Sequence, residues 1–220
     1  MSRPIAVLRP EPGNRITASA IEGRGRTAIR LPLFATRPLA WTVPDAAGFD
    51  ALILTSANAV RCAGAGLGSL LGLPVLAVGE ATASAARRAH FDVIAVGEAG
   101  AAALMEQAAA TGICRALHLA GRERTLEAGG AVAAVIPVYA SEALPIAPEA
   151  VAPLRGSVAL IQSARAGARL AEIVTDPGAI ILAAISEAAA AGAGRGWRAI
   201  AIAPRPDTEA LIDTAIALAD

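Results

Sequence analysis

The chain has 220 residues, with 19 basic side chains, all of them Arg, against 19 acidic ones, so no net charge draws it to nucleic acid or an anionic membrane. Hydrophobic residues make up 55% and aromatics 3%, with Ala alone supplying about a quarter of the chain, which excludes a disordered polypeptide. No apolar run reaches the ~18 residues of a bilayer span, the apolar core of Met1 to Gly13 is only Ile5–Leu8, too short for a signal peptide, and Cys62 and Cys114 lack the spacing of a zinc site or disulfide framework. These features predict a cytoplasmic, reduced, globular protein.

The pattern along the chain is one of short apolar bursts. They fall at 5–8, 28–31, 51–54, 75–78, 93–96, 116–119, 132–135, 158–161, 180–183 and 200–202. Each has the length and near-continuous apolar character of a strand buried on both faces. Between them lie Ala-rich stretches with charges along one side, such as Ala81–Ala89, Ala99–Ala110, Arg165–Val174 and Thr208–Ala219. Ala is the best helix former because it loses no side-chain entropy. Strands alternating with helices predict α/β architecture with parallel sheets covered on both faces.

An internal repeat adds to this. Leu54-Thr55-Ser56-Ala57-Asn58-Ala59 recurs 107 residues later as Ile161-Gln162-Ser163-Ala164-Arg165-Ala166, and Val78-Gly79-Glu80-Ala81 recurs at the same offset as Ile185-Ser186-Glu187-Ala188. A looser pair relates Val7–Phe34 to Leu117–Tyr139, each ending in Pro-aliphatic-aromatic. The chain reads as two copies of two half-domain pieces. Two pairings are open: tandem domains over 1–112 and 113–220, or a contiguous middle domain with the two ends closing as another. Because Pro forces its predecessor into extended geometry and is barred from central strands, Leu33–Leu39 and Val138–Pro145 look like extended crossings between domains, which favours the second pairing.

In open parallel sheets the ligand lies beyond the carboxyl ends of the strands. The loops placed there hold Arg9, Ser56, Ala57, Asn58, Gly79, Thr82, Gly121, Arg122, Ser163, Ala164, Arg165 and Ser186. Helix N-termini carry unpaired N–H groups and partial positive charge, so two such domains facing each other would form a cleft for a polyanion held mainly by backbone amides. Each loop also has a structural reading. Ser56 and Ser163 are suited to capping helices, and Glu80 and Glu187 to the first helical turn. Arg9 and Arg122 end strands at equivalent places in the two copies.

No GxGxxG follows a strand, and neither GxxxxGK[ST] nor GxSxG occurs. Of the two histidines, His90 sits at a helix end and His118 inside a strand, where a core role is expected. No nucleophile, base and orienting group assemble by motif, and no cluster has metal-ligand spacing. An enzyme of this kind works chiefly by binding and orienting a reactive substrate.

At these residues the chain resembles uroporphyrinogen-III synthase, nearly end to end. The resemblance rests on Leu8-Arg9-Pro10, the proline after the second strand, and Phe49 to Val60. It continues through Ala77 to Ala83, Leu119-Ala120-Gly121-Arg122, Val138-Tyr139, Gln162 to Ala166 and Ala184-Ile185-Ser186-Glu187, closing with Gly196-Trp197 and Ala203-Pro204-Arg205-Pro206. It implies two Rossmann-like or flavodoxin-like lobes: one of residues 1–34 and 146–220, one of 41–137, joined by linker strands 35–40 and 138–145. It implies a cytoplasmic, monomeric enzyme without metal or organic cofactor. The reaction would be cyclisation of the linear tetrapyrrole hydroxymethylbilane to uroporphyrinogen III, with inversion of ring D and loss of water. Hydroxyl departure would give a cationic azafulvene, then a spiro intermediate and ring reclosure. Tyr139, the only Tyr, matches the family's tyrosine near the linker and is the candidate to assist that departure.

Two departures stand out. The family's second copy carries a Thr two residues after the Glu of its Ser-Glu turn, where this chain has Ala189, whereas the first copy keeps Thr82. Thr125–Ala131 leaves room for only about one helical turn. The competing readings are a two-lobed, non-catalytic binder of a polycarboxylate, a degenerate synthase paralogue, and a scaffold without ligand.

Overall fold

The computed structural model describes residues 2–97, 101–110 and 112–220. The chain divides into two compact units. The terminal unit comprises Met1–Ala35 and Ala143–Asp220, and the central unit Thr36–Glu142.

The terminal unit holds strands β1 (Ile5–Val7) and β2 (Ala28–Arg30), with helix α1 (Gly13–Glu22) between them. After β3 (Phe34–Pro38) the chain enters the central unit: β4 (Ala51–Leu54), α2 (Ala57–Cys62), β5 (Val75–Val78), α3 (Glu80–Arg88), β6 (Val93–Gly97), α4 (Ala101–Ala110) and β7 (Ala116–Gly121). The long β8 (Val132–Ala143) leads back. Beyond it come α5 (Pro148–Val151), β9 (Val158–Ile161), α6 (Ala164–Ile173), β10 (Ile181–Ala184), α7 (Glu187–Ala193), β11 (Ala199–Ile202) and α8 (Thr208–Ala219). Each expected apolar run is a strand that starts within a residue of its predicted position. The helix expected over Ala99–Ala110 is found from Ala101; residues 99 and 100 lie outside the described residues.

The terminal unit's sheet has the order β11-β10-β9-β1-β2 and is parallel throughout. The central unit's order is β3-β8-β7-β4-β5-β6, in which β8 to β6 are parallel. β3 is added at its edge. Leu39 N donates to Val138 O in the central unit and Leu144 N to Leu33 O in the terminal one, each at 2.9 Å, so β3 and β8 run antiparallel. Setting β9, β10 and β11 beside β4, β5 and β6 reproduces the sequence repeat as a repeat of sheet order.

Both faces of each sheet are covered. In the terminal unit, Ala6, Ala159, Ile161 and Leu182 pack against α6 and α7 together with Trp197. Their alternating neighbours Ile5, Val7, Leu160 and Ala183 pack against α1 and α8. In the central unit Leu52, Leu54, Leu117 and Leu119 face α2 and α3, and Ala51, Ile53, Leu76 and Ala116 face α4. The period of two in the strands decides which face each side chain enters.

Small residues set the helix spacing. A Cβ at Gly192 of α7 would fall 2.4 Å from both Cα and O of Ala164 in α6, and one at Gly167 of α6 would fall 2.6 Å from Ala193 N. The two helices therefore touch backbone to backbone. Gly192→Ala gains about 1 kcal/mol of helix propensity but forces the helices apart, at a cost of about 3 kcal/mol. A net loss of about 2 kcal/mol is expected, read as a Tm about 4–8 °C lower in a thermal melt.

The two units differ in one connection. In the terminal unit β1 and β2 are joined by a full helix, α1. The corresponding connection in the central unit, residues 122–131 between β7 and β8, contains no helical turn at all, where about one was expected. Ten residues, with Gly129 and Gly130 at positive φ, are too few to climb over the sheet as a helix and return to a parallel neighbour.

Candidate functional site

Because the strands are parallel, their carboxyl ends share one edge in each unit, and the loops after them collect there. The sheet order reverses direction between β4 and β7 in the central unit and between β1 and β9 in the terminal unit. Such a switch point leaves a crevice, because the two flanking loops depart to opposite faces.

In the terminal unit the switch point is flanked by Arg9 and by Gln162-Ser163. Buried Asn14 of α1 fixes the first loop: its Nδ2 donates to Val7 O at 2.7 Å and Arg9 O at 3.1 Å, and its Oδ1 accepts from Arg30 Nε at 3.1 Å. The Arg9 side chain folds back over Gly13 and reaches Thr17 Oγ1 at 3.5 Å. Ser163 caps α6, its Oγ accepting from Ala166 N at 3.1 Å, and Ser186 caps α7 by accepting from Ala189 N at 3.3 Å. Ala164 is exposed in the first turn of α6. The Arg165 guanidinium lies over the Phe34 ring, 4.5 Å from its centroid, a cation–π contact with no signature in the sequence. Arg9, Ser163, Ala164, Arg165 and Ser186 thus share one edge of the terminal sheet.

In the central unit Ser56 caps α2 through Asn58 N at 3.2 Å. Asn58 donates to Thr36 Oγ1 at 3.4 Å and accepts from Arg61 at 2.9 Å, while Ala57 is buried beside it. Gly79 precedes α3 with φ 77°, a left-handed conformation that Gly reaches without strain. Thr82, two residues into α3, is only 5% exposed. Arg122 is exposed; its N–H donates to Tyr139 O at 2.8 Å, which ties the loop after β7 to β8. Ser56, Ala57, Asn58, Gly79, Gly121 and Arg122 therefore gather at the carboxyl edge of three adjacent strands.

An open pocket of about 330 Å³ lies at this edge, lined by Thr55, Val78, His118, Gly121, Glu123, Arg124, Thr125, Leu126 and Tyr139. The missing helix accounts for it. His118 pairs with Ile53 as Val7 pairs with Leu160, so it stands where the terminal unit places Val7 beneath α1. Here the irregular 122–131 segment stands in place of that helix, with Arg124, Thr125 and Leu126 beside His118. Arg124 stiffens the segment, donating to Glu127 Oε2 at 2.9 and 3.1 Å and to Arg122 O at 3.0 Å.

Tyr139 reaches the pocket from β8, and its ring is seated on Gly121. A Cβ built there would lie 2.9 Å from Tyr139 Cζ and 3.0 Å from its hydroxyl oxygen. The sequence marks Gly121 as a ligand contact, and the structure shows it also clearing the ring's place. Gly121→Ala is expected to swing the phenol aside and lower kcat about 10-fold with the fold retained; steady-state kinetics beside a thermal melt would check it.

His118 and Thr55 were not among the predicted site residues. His118 is fully buried, as expected of a strand histidine, yet it is not inert packing: its Nε2 lies 3.1 Å from Thr55 Oγ1 across the switch point. Burial lowers its pKa from 6.5 to about 4, reinforced by the Arg124 charge and opposed by the Leu126 backbone and Glu127, so the ring is neutral at pH 7. The signal available in the sequence was a polar residue in an otherwise apolar strand, followed by a connection half as long as its counterpart. Among the described residues, no group of three or more His, Cys, Asp or Glu could hold a metal ion, and no helix is long and apolar enough to cross a membrane.

Residues 16–213 match the family model for uroporphyrinogen-III synthase HemD. Among curated proteins none matches the sequence significantly. Among solved structures, the chain is similar to uroporphyrinogen-III synthetase from Helicobacter pylori, with 18% identity, a TM-score of 0.69, and coverage of 99% of this chain and 100% of that one. It is also similar to a mutant uroporphyrinogen III synthase from the extremely thermophilic bacterium Thermus thermophilus, with 18% identity, a TM-score of 0.53 and 99% coverage of both chains. These likenesses show a shared two-lobed α/β fold, and the family model spans most of the sequence: the chain belongs to the uroporphyrinogen-III synthase HemD family.

Proposed function

We propose that this chain is a cytoplasmic, monomeric uroporphyrinogen-III synthase that cyclises hydroxymethylbilane with inversion of ring D and loss of water. The observation that carries the reading is the pocket at the central unit's switch point, where the phenol of Tyr139 rests on Gly121. Tyr139 donates its proton to the departing hydroxyl, which leaves as water, and the pyrrole it leaves becomes a cationic azafulvene. Carbon–carbon bond formation at the substituted carbon of ring D gives the spiro intermediate. Its fragmentation and reclosure invert the ring, and loss of a proton restores aromaticity and the phenol.

The substrate carries eight carboxylates. Backbone amides at the openings of α2, α3, α6 and α7 hold them, around Ser56-Ala57-Asn58, Gly79, Ser163-Ala164-Arg165 and Ser186, with Thr82, Gly121, Arg9 and Arg122 completing the set. Residues 35–40 and 138–145 link the two lobes. Neutral net charge is compatible with such a ligand because the attraction is local, at helix termini and a few Arg.

Free hydroxymethylbilane closes spontaneously to the uninverted isomer, so the test is isomer composition. With purified protein added, chromatography after oxidation should show isomer III in excess over the protein-free control. Isomer I alone, with tight product binding, would identify a non-catalytic binder instead.

A further inference from the structure

We propose that Arg124 binds one carboxylate of the substrate, the acetate beside the carbon that loses its hydroxyl. The inference rests on the reading of function just given and goes beyond it by assigning one carboxylate to one side chain.

Among the described residues, Arg124 is the one basic side chain lining the pocket that Tyr139 reaches. Its side chain is only 25% exposed, whereas that of its partner Glu127 is 62% exposed and does not line the pocket. The ion pair thus turns its acid to solvent and its guanidinium to the pocket. A guanidinium has five N–H groups. Nε–H and one N–H of Nη2 go to Glu127 Oε2, at 3.1 and 2.9 Å, and one N–H of Nη1 goes to Arg122 O at 3.0 Å. Among the described residues it makes no other hydrogen bond, which leaves one N–H on Nη1 and one on Nη2. Two such groups can grip both oxygens of a carboxylate. The three bonds already made hold the head in place, so little side-chain freedom is lost on binding.

The terminal unit shows what this place in the fold attracts. Two residues beyond Arg9 stands Glu11, and two beyond Arg122, which ends the equivalent strand, stands Arg124. Glu11 lays its own carboxylate at the opening of α1, accepting from Arg15 N at 3.1 Å and pairing with Arg30. After β7 no helix opens, and the residue at that place is a base beside an open pocket. Glu123 also lines the pocket, so net charge does not select the ligand; the directed N–H groups of Arg124 do.

The chemistry favours one carboxylate. With Tyr139 at the departing hydroxyl, the nearest is the acetate on the adjacent ring carbon. Held by Arg124, it completes a set with Glu127 that carries one net negative charge. That charge favours the cation created when the hydroxyl leaves, which a lone guanidinium would oppose.

Two ligands separate this from mere support of the segment. Uroporphyrinogen III carries the acetates; coproporphyrinogen III carries methyl groups in their place and keeps the propionates. In anaerobic competition titrations, the parent's preference for uroporphyrinogen III should fall about 10-fold in Arg124→Met. Affinity for coproporphyrinogen III should change less than about 2-fold. Equal weakening of both ligands would mean a loosened segment or a bound propionate, and an unchanged preference would mean no carboxylate on Arg124. Either result overturns the proposal. A parent that yields isomer I alone would remove the reading of function, while the preference would still decide whether Arg124 holds an acetate. A parent that binds neither ligand overturns both.

Discussion

Replacing Tyr139 with Phe is expected to lower kcat for isomer III about 100-fold, with Tm within about 1 °C of the parent. A positioned proton donor is commonly worth ~10²–10⁴ in rate. The low end applies because the bilane loses its hydroxyl without an enzyme, the electron-rich pyrrole stabilising the cation. The fold should be indifferent to the change. Tyr139 sits on β8 with its ring against Gly121, and Phe keeps that contact and removes one oxygen. Isomer analysis with a matched thermal melt checks both halves. An unchanged kcat would exclude the Tyr139 hydroxyl from the chemistry and leave its ring as packing for the strand.

Acid should destabilise the protein through His118. The folded chain holds this ring neutral down to about pH 4, whereas its ordinary value is 6.5. Between those limits the unfolded chain binds a proton that the folded chain refuses, so stability falls as pH falls. The contribution is intact above pH 6.5, about 2 kcal/mol is lost near pH 5, and about 3 kcal/mol once the folded ring itself titrates. The groups that bear on the ring are the Thr55 hydroxyl, the Leu126 backbone, Arg124 and Glu127. Denaturant melts at pH 7 and pH 5 on the parent and on His118→Leu check this. The variant should lose about 2 kcal/mol less on acidification. Equal losses in both proteins would show that the His118 ring accepts its proton when folded.

The strands were legible because burial on both faces leaves almost no polar residue in them: Ala51–Leu54 and Val158–Ile161 are wholly apolar and wholly buried. The serine caps were legible for a local reason. A hydroxyl before an Ala-rich stretch has one good use: Ser56 and Ser163 make it as expected, and Ser186, read only as a ligand contact, makes it too. The pocket was not legible, because it arises from something left out. The ten residues after Gly121 look like any polar loop until set against α1, which covers Val7 in the other unit. Only registering β7 against β4 reveals that His118 takes the uncovered place. Likewise the stacking of Arg165 on Phe34 and the backbone meeting of Gly192 with Ala164 join residues distant in sequence, for which no local pattern exists.

Chemistry at the central unit's switch point is tested most directly by a footprint of the product on the protein. Amide shifts should be recorded for the nitrogen-labelled protein titrated anaerobically with uroporphyrinogen III. The largest changes should fall at residues 55–58, 79–82, 121–126 and 139, with the opposite sheet edge unmoved. Shifts centred on the amino ends of β4, β5 and β7, or none at saturating product, would contradict the placement of the site.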